Sequence, residues 1–135
     1  AWADQLPASC LLLCECHGGT ALETPEAAAA FFAPLDPERF RIIVHITGDA
    51  DALSAWFVPL GPRIAHLHLQ LRDTDPLTDV GRQRLDACAR IVRAHGFHGT
   101  ASIEFTRGIG PNESMDRLYA NALVDLAAFR AAWSH

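Results

Sequence analysis

The chain has 135 residues, half of them hydrophobic, and a formal net charge of −5. These values predict one globular domain over residues 1–135 and argue against a nucleic-acid surface, which needs basic residues to neutralise phosphates. All eleven basic residues are Arg, so a catalytic lysine is excluded.

Strand-like and helix-like segments alternate four times along the chain. The predicted strands are 10–16, Phe40–Ile46, Ile64–Gln70 and Thr100–Phe105. The predicted helices are Glu26–Ala33, Asp49–Phe57, Asp79–Ala94 and Glu113–Trp133. Such alternation predicts an α/β fold in which a parallel sheet is covered by helices.

Local signals mark the helix boundaries. Thr24 followed by Pro25 is typical of a helix start, and Pro34 predicts the end of that helix. The third helix has one apolar face, whose predicted members are Val80, Leu85, Cys88, Ile91 and Val92.

The four cysteines, Cys10, Cys14, Cys16 and Cys88, do not have the spacing of a zinc ribbon or of a redox motif. Free Cys is often a small buried apolar residue. We therefore expect buried free thiols rather than metal ligands, with Cys10, Cys14 and Cys16 packed beneath the helices.

Each predicted strand carries one potential metal ligand among apolar residues. These candidates are Glu15, His45, His68 and Glu104. A charge or an imidazole is costly to bury without a partner, and ligands collect at the carboxyl ends of parallel strands. The pattern therefore predicts a shared site for a divalent metal, with Mn, Zn, Co or Fe favoured by the mixed carboxylate and imidazole set.

Structural alternatives exist for these residues. Glu15 could be a buried carboxylate paired with Arg41 or Arg63, and His45 could be an ordinary core histidine.

The segments Glu15–Thr20, Arg63–Gln70 and Gly96–Phe105 together resemble strands five, seven and eight of the xylose-isomerase-like TIM barrels, a family of sugar phosphate isomerases and epimerases. The resemblance covers about Leu11 to Trp133. It implies half of a (β/α)8 TIM barrel, made of four β-α units that correspond to strands 5–8. The resemblance therefore implies that dimerisation or a partner chain completes the barrel.

The resemblance also implies roles for single residues. Glu15, His68 and Glu104 fall on metal-ligand positions, and His45 falls where the family has Asp. Glu15 and Glu104 would also act as catalytic acid and base. His17 and His66 would line the substrate pocket, and Arg72 or Arg107 would bind a substrate anion. Two further departures are Gly48, at a usually polar position, and Gln70, at a usual Lys position.

Two functions follow as hypotheses. The first is a metal-dependent isomerase or epimerase that moves a proton on a sugar-like polyol or keto compound. The alternative is a diverged, non-catalytic half-barrel subunit or binding module. No apolar run predicts a membrane span and the first residues lack a secretory pattern, so a cytoplasmic location is expected.

Overall fold

The computed structural model describes residues 5–7 and 9–134 and confirms the alternating α/β organisation. Its strands are β1 (Leu12–Glu15), β2 (Phe40–Ile46), β3 (Ile64–Gln70) and β4 (Thr100–Phe105). Its helices are α1 (Pro25–Phe32), α2 (Ala50–Leu60), α3 (Asp79–Ala94) and α4 (Met115–Ser134), and a short 3-10 turn at Gly61–Arg63 follows α2.

The four strands form one parallel sheet in the order β1-β2-β3-β4. Each helix packs against the next helix along the chain. In a parallel sheet with this sequential strand order, these contacts between successive helices are expected when all four helices lie on the same side of the sheet. The half-barrel interpretation requires more than this topology and stays a prediction.

The two faces of the sheet differ in burial. The helix-covered face carries the fully buried side chains Ile42, Val44, Ile46, Leu67 and Leu69. We call the opposite side the open face; its side chains are partly exposed and include Leu13, Glu15, Ile43, His45, His66, His68, Gln70, Ser102 and Glu104. Because side chains alternate along a strand, polar residues at every second position share the open face.

Side-chain caps explain where the helices begin. The hydroxyl of Thr24 accepts a hydrogen bond from the backbone N–H of Ala27, which confirms the predicted start of α1. In the same way, Ser114 accepts from the N–H of Arg117 at 3.2 Å. Helix α4 therefore begins at Met115, two residues after the predicted Glu113.

Further bounds differ from the prediction, since β1 covers only Leu12–Glu15 of the predicted strand 10–16. Helix α2 continues through Pro59 to Leu60, because the burial of Phe57 and Leu60 offsets the hydrogen bond that Pro59 cannot donate. Val80 was assigned to the apolar face of α3 but is 61% exposed. It lies in the first turn of α3, where no described element covers it.

The thiols are free, as expected, but the predicted burial is wrong for Cys10 and Cys14, which are partly exposed. Cys16 and Cys88 are buried, and burial raises their pKa to about 12 and about 11, respectively. No helix among the described residues combines the length and the apolar character that a membrane crossing requires.

Candidate metal centre

Four side chains from four different strands meet on the open face. One nitrogen or oxygen atom from each of Glu15, His45, His68 and Glu104 lies within 4.8 Å of the others. His45 and His68 are direct partners in the register of β2 and β3, and their rings stack at 5.6 Å. The structure therefore brings together all four residues that the sequence singled out, and we call them the four-residue cluster.

Glu15 lies between the two imidazoles. Its Oε1 atom accepts hydrogen bonds from Nε2 of His45 at 2.8 Å and from Nδ1 of His68 at 3.0 Å. Neither of the alternative partners of Glu15 is used, because Arg41 pairs with Glu38 and Arg63 donates to backbone carbonyls. The imidazoles are thus the hydrogen-bond partners of this carboxylate.

Glu104 closes the other side of the cluster. Its Oε2 atom lies 3.6 Å from Nε2 of His45 and 3.4 Å from Nδ1 of His68. A β-bulge precedes the end of β4, since Leu69 pairs with Ile103 whereas Gln70 pairs with Phe105. Glu104 is the extra residue of this bulge, and bulges commonly re-aim a side chain beside a functional site.

Gln70 fixes the orientation of that carboxylate. Its Nε2 atom donates a hydrogen bond to Oε2 of Glu104 at 3.0 Å. The sequence marked Gln70 only as a departure from the Lys expected there. Strand alternation places Gln70 and Glu104 on the same face of the sheet, but only the structure shows that their side chains form a hydrogen bond.

The hydrogen bond from His45 lowers the pKa of Glu15, against the opposing effect of burial. Glu15 is therefore an anion at neutral pH. The neighbouring His66 is affected differently, because burial and, secondarily, the charge of His68 lower its pKa.

The donor set fits a divalent transition metal. Two carboxylates and two imidazoles suit Zn²⁺, Mn²⁺, Fe²⁺ or Co²⁺ better than Mg²⁺, which prefers oxygen ligands. Two ligands bound at about 2.1 Å to one ion are separated by roughly 3.0–3.4 Å. The four separations between an imidazole nitrogen and a carboxylate oxygen, 2.8–3.6 Å, lie close to that range, whereas the cluster as a whole spans up to 4.8 Å.

The two histidines predicted to line a pocket flank this cluster. The ring of His17 is exposed and lies 6.2 Å from the ring of His45. His66 meets the ring of His68 edge-on at 5.1 Å. Both ring nitrogens of His66 are engaged, by the hydroxyl groups of Thr100 at 2.6 Å and Ser102 at 2.9 Å.

The two arginines predicted to bind a substrate anion have different surroundings. The Nε atom of Arg107 donates to Oδ1 of the fully buried Asp125 at 3.0 Å, and Asp125 also accepts from Thr106. The guanidinium of Arg72, in contrast, lies over the ring of Phe105 at 4.6 Å. Arg107 therefore anchors the loop after β4 to α4, whereas Arg72 is held by an aromatic ring.

Asp125 is a structural residue that the sequence interpretation missed. The only available signal was an acid within the apolar side of the last helix. Gly48 also has a local explanation: its φ is +89°, and a Cβ atom there would lie 2.7 Å from the hydroxyl oxygen of Thr74. A side chain at position 48 is therefore disfavoured in this chain.

No protein-family model matches the chain, and no curated protein is similar to it. The likeness to the xylose-isomerase-like family therefore stays a prediction based on the sequence motifs.

Proposed function

We propose that the four-residue cluster binds one divalent transition-metal ion and that the protein is a metal-dependent, isomerase- or epimerase-like enzyme. The single observation that supports this most strongly is the convergence of four potential ligand atoms, from four strands, within 4.8 Å. Two imidazoles and two carboxylates in such proximity have the chemistry of a metal site. The candidate ions are Mn²⁺, Zn²⁺, Co²⁺ and Fe²⁺.

In this proposal the bound ion supplies Lewis-acid stabilisation of negative charge on a substrate oxygen. The chain itself supplies the proton transfer. Oε2 of Glu15 and Oε1 of Glu104 make no hydrogen bond to the described residues, so each carboxylate keeps one oxygen for a proton. Glu15 is the base and Glu104 the acid of this proton transfer.

The substrate is a small polyol or keto compound that reaches the cluster from the carboxyl ends of the strands. His17 and His66 lie at the sides of that approach, as the ring distances to His45 and His68 indicate. Nε2 of His17 makes no hydrogen bond within the described residues and can bind a hydroxyl or carbonyl group, whereas both ring nitrogens of His66 are already engaged by hydroxyl groups of the chain.

A non-catalytic half-barrel subunit is the second candidate. It is favoured by the sheet edges, since β1 and β4 each pair with one strand only within the described part of the chain. Unpaired edges invite pairing with another chain. In either function, a second copy or a partner chain would cover the open face and complete the barrel.

Titration with Co²⁺, monitored by visible absorption, tests the metal site. We expect saturation with one ion per chain, and we expect Glu104→Gln to weaken binding at least about tenfold. Glu26→Gln removes one charge from the exposed first turn of α1 and is the matched control. Equal affinities of the two variants would contradict the assignment.

Activity is tested on the Co²⁺-loaded protein with ketose and aldose sugars and with keto acids, by following exchange of the substrate hydrogen with deuterated water. We expect exchange with at least one of these compounds, and we expect it to disappear in Glu15→Gln. A saturated metal site without exchange on any of these compounds would favour the binding module.

A further inference from the structure

We propose that the substrate of this site carries a carboxylate group and that Arg72 binds it. This inference rests on the proposed function and adds a substrate class to it. A small hydroxy acid or sugar acid, rather than a neutral sugar, is the ligand that the surroundings of Arg72 fit.

Arg72 lies two residues beyond the end of β3 and is exposed. Together with Thr47, Gln70, Asp73 and Phe105 it lines a cavity of about 130 Å³. That volume accommodates a carboxylate and an adjacent hydroxyl group, since one water molecule occupies about 30 Å³ of liquid.

The cavity adjoins the four-residue cluster through Gln70. The Gln70 side chain lines the cavity and also donates to Oε2 of Glu104 at 3.0 Å. A ligand with one end at the cluster can therefore place its other end beside Arg72. The β4 bulge contributes to this arrangement, because it sets Phe105 opposite Gln70.

The surrounding charges favour Arg72 over Arg107 as the residue that binds the substrate carboxylate. Arg107 is neutralised by the buried carboxylate of Asp125, with Asp75 at 3.7 Å as a second acid. Within the described residues Arg72 forms neither a hydrogen bond nor an ion pair, and its contact is the ring of Phe105 at 4.6 Å. An aromatic ring holds a guanidinium in place while leaving its N–H groups available for a planar carboxylate.

Asp73 restricts the type of anion. Asp73 lines the same cavity, and its negative charge makes a ligand with two negative charges less favourable than one with a single charge. It can, however, accept a hydrogen bond from a ligand hydroxyl group. A monoanionic hydroxy acid therefore matches the pair Arg72 and Asp73 better than a phosphate dianion does.

Calorimetric titration of the Co²⁺-loaded protein with D-gluconate and D-glucitol tests the inference, because these polyols differ by one carboxylate. We expect gluconate to bind at least about tenfold more tightly, and we expect Arg72→Gln to remove that preference while leaving glucitol affinity unchanged. Arg72→Lys keeps the positive charge but loses the planar guanidinium that can donate two parallel hydrogen bonds. This variant should therefore retain part of the preference for gluconate. Arg82→Gln, on the exposed side of α3, is the matched control and should behave as the wild type.

A gluconate preference that persists in Arg72→Gln would overturn the inference, because the carboxylate would then bind elsewhere. The inference would also be overturned if the wild-type protein bound glucitol more tightly than gluconate, bound both equally, or bound neither. Inorganic phosphate that binds more tightly than gluconate would overturn the choice of a monoanion.

The metal content of the same samples separates this failure from failure of the proposed function. If the protein retains the metal but its preference for gluconate is unchanged by Arg72→Gln, only the carboxylate site is contradicted. Protein without metal contradicts the proposed function, and gluconate titration of that metal-free chain still measures the contribution of Arg72.

Discussion

Nε2 of His45 lies 2.8 Å from Oε1 of Glu15, although 30 residues separate them in the chain. The contact joins the carboxyl end of β1 to β2 and forms one side of the four-residue cluster. It also lowers the pKa of Glu15, which has a consequence for stability.

The stability of the metal-free protein should decrease in acid partly through Glu15. Its folded-state pKa lies below the ordinary value of 4.5, so its contribution is complete above that value and is lost as the pH falls through the lowered pKa. Urea unfolding of wild type and Glu15→Gln measures this. We expect the wild type to be more stable at pH 7, with the difference shrinking toward pH 3. A difference that grows with acidity would contradict the direction of the shift.

Gly48→Ala should destabilise the protein more than Gly19→Ala. Both glycines have positive φ, +89° and +80°, so both substitutions incur backbone strain of about 1 kcal/mol or more. Only the Cβ atom at position 48 meets another residue, at 2.7 Å from the hydroxyl of Thr74, whereas position 19 has open space. Thermal unfolding of the two variants isolates the steric part. Equal losses of stability in the two variants would show that the Thr74 side chain can move away at no cost in free energy.

Asp125→Ala should lower the free energy of unfolding by about 3–5 kcal/mol, the usual cost of removing one member of a buried ion pair. The substitution leaves Arg107 and Thr106 without their acceptor. Asp86→Ala, on the exposed side of α3, is the control and should change stability little. Chemical denaturation measures both, and a loss below about 1 kcal/mol for Asp125→Ala would contradict the anchoring role.

The thiols should fall into two classes of reactivity. Cys16 and Cys88 are buried and have raised pKa values of about 12 and about 11, so they carry almost no thiolate at pH 8. Cys10 and Cys14 are partly exposed. Iodoacetamide labelling followed by peptide mass spectrometry should modify Cys16 and Cys88 only after unfolding. Rapid labelling of Cys16 in the native protein would contradict its placement beneath the helices.

Much of the fold could be predicted because its signals are local. The bounds of β2, β3, β4 and α3 follow from apolar runs and caps, and the alternation of side chains placed His45 and His68 on one face. The convergence of the four-residue cluster was predictable for the same reason. It required only that four strands run parallel and in sequence.

Other features depend on contacts between distant segments and could not be deduced. The register shift near the end of β4, which sets Phe105 rather than Glu104 opposite Gln70, arises from the pairing of β3 with β4, and a single strand does not encode it. The difference between Arg72 and Arg107 arises from Asp125, which lies 18 residues beyond Arg107 on α4. Sequence spacing treats these two arginines alike, whereas the surrounding charges distinguish them.

The most direct measurement is elemental analysis of the untagged protein, purified without chelator. The proposed metal centre predicts about one transition-metal ion per chain, bound by Glu15, His45, His68 and Glu104. A protein that contains no metal, even after incubation with Mn²⁺ or Zn²⁺ and removal of the excess, would contradict it.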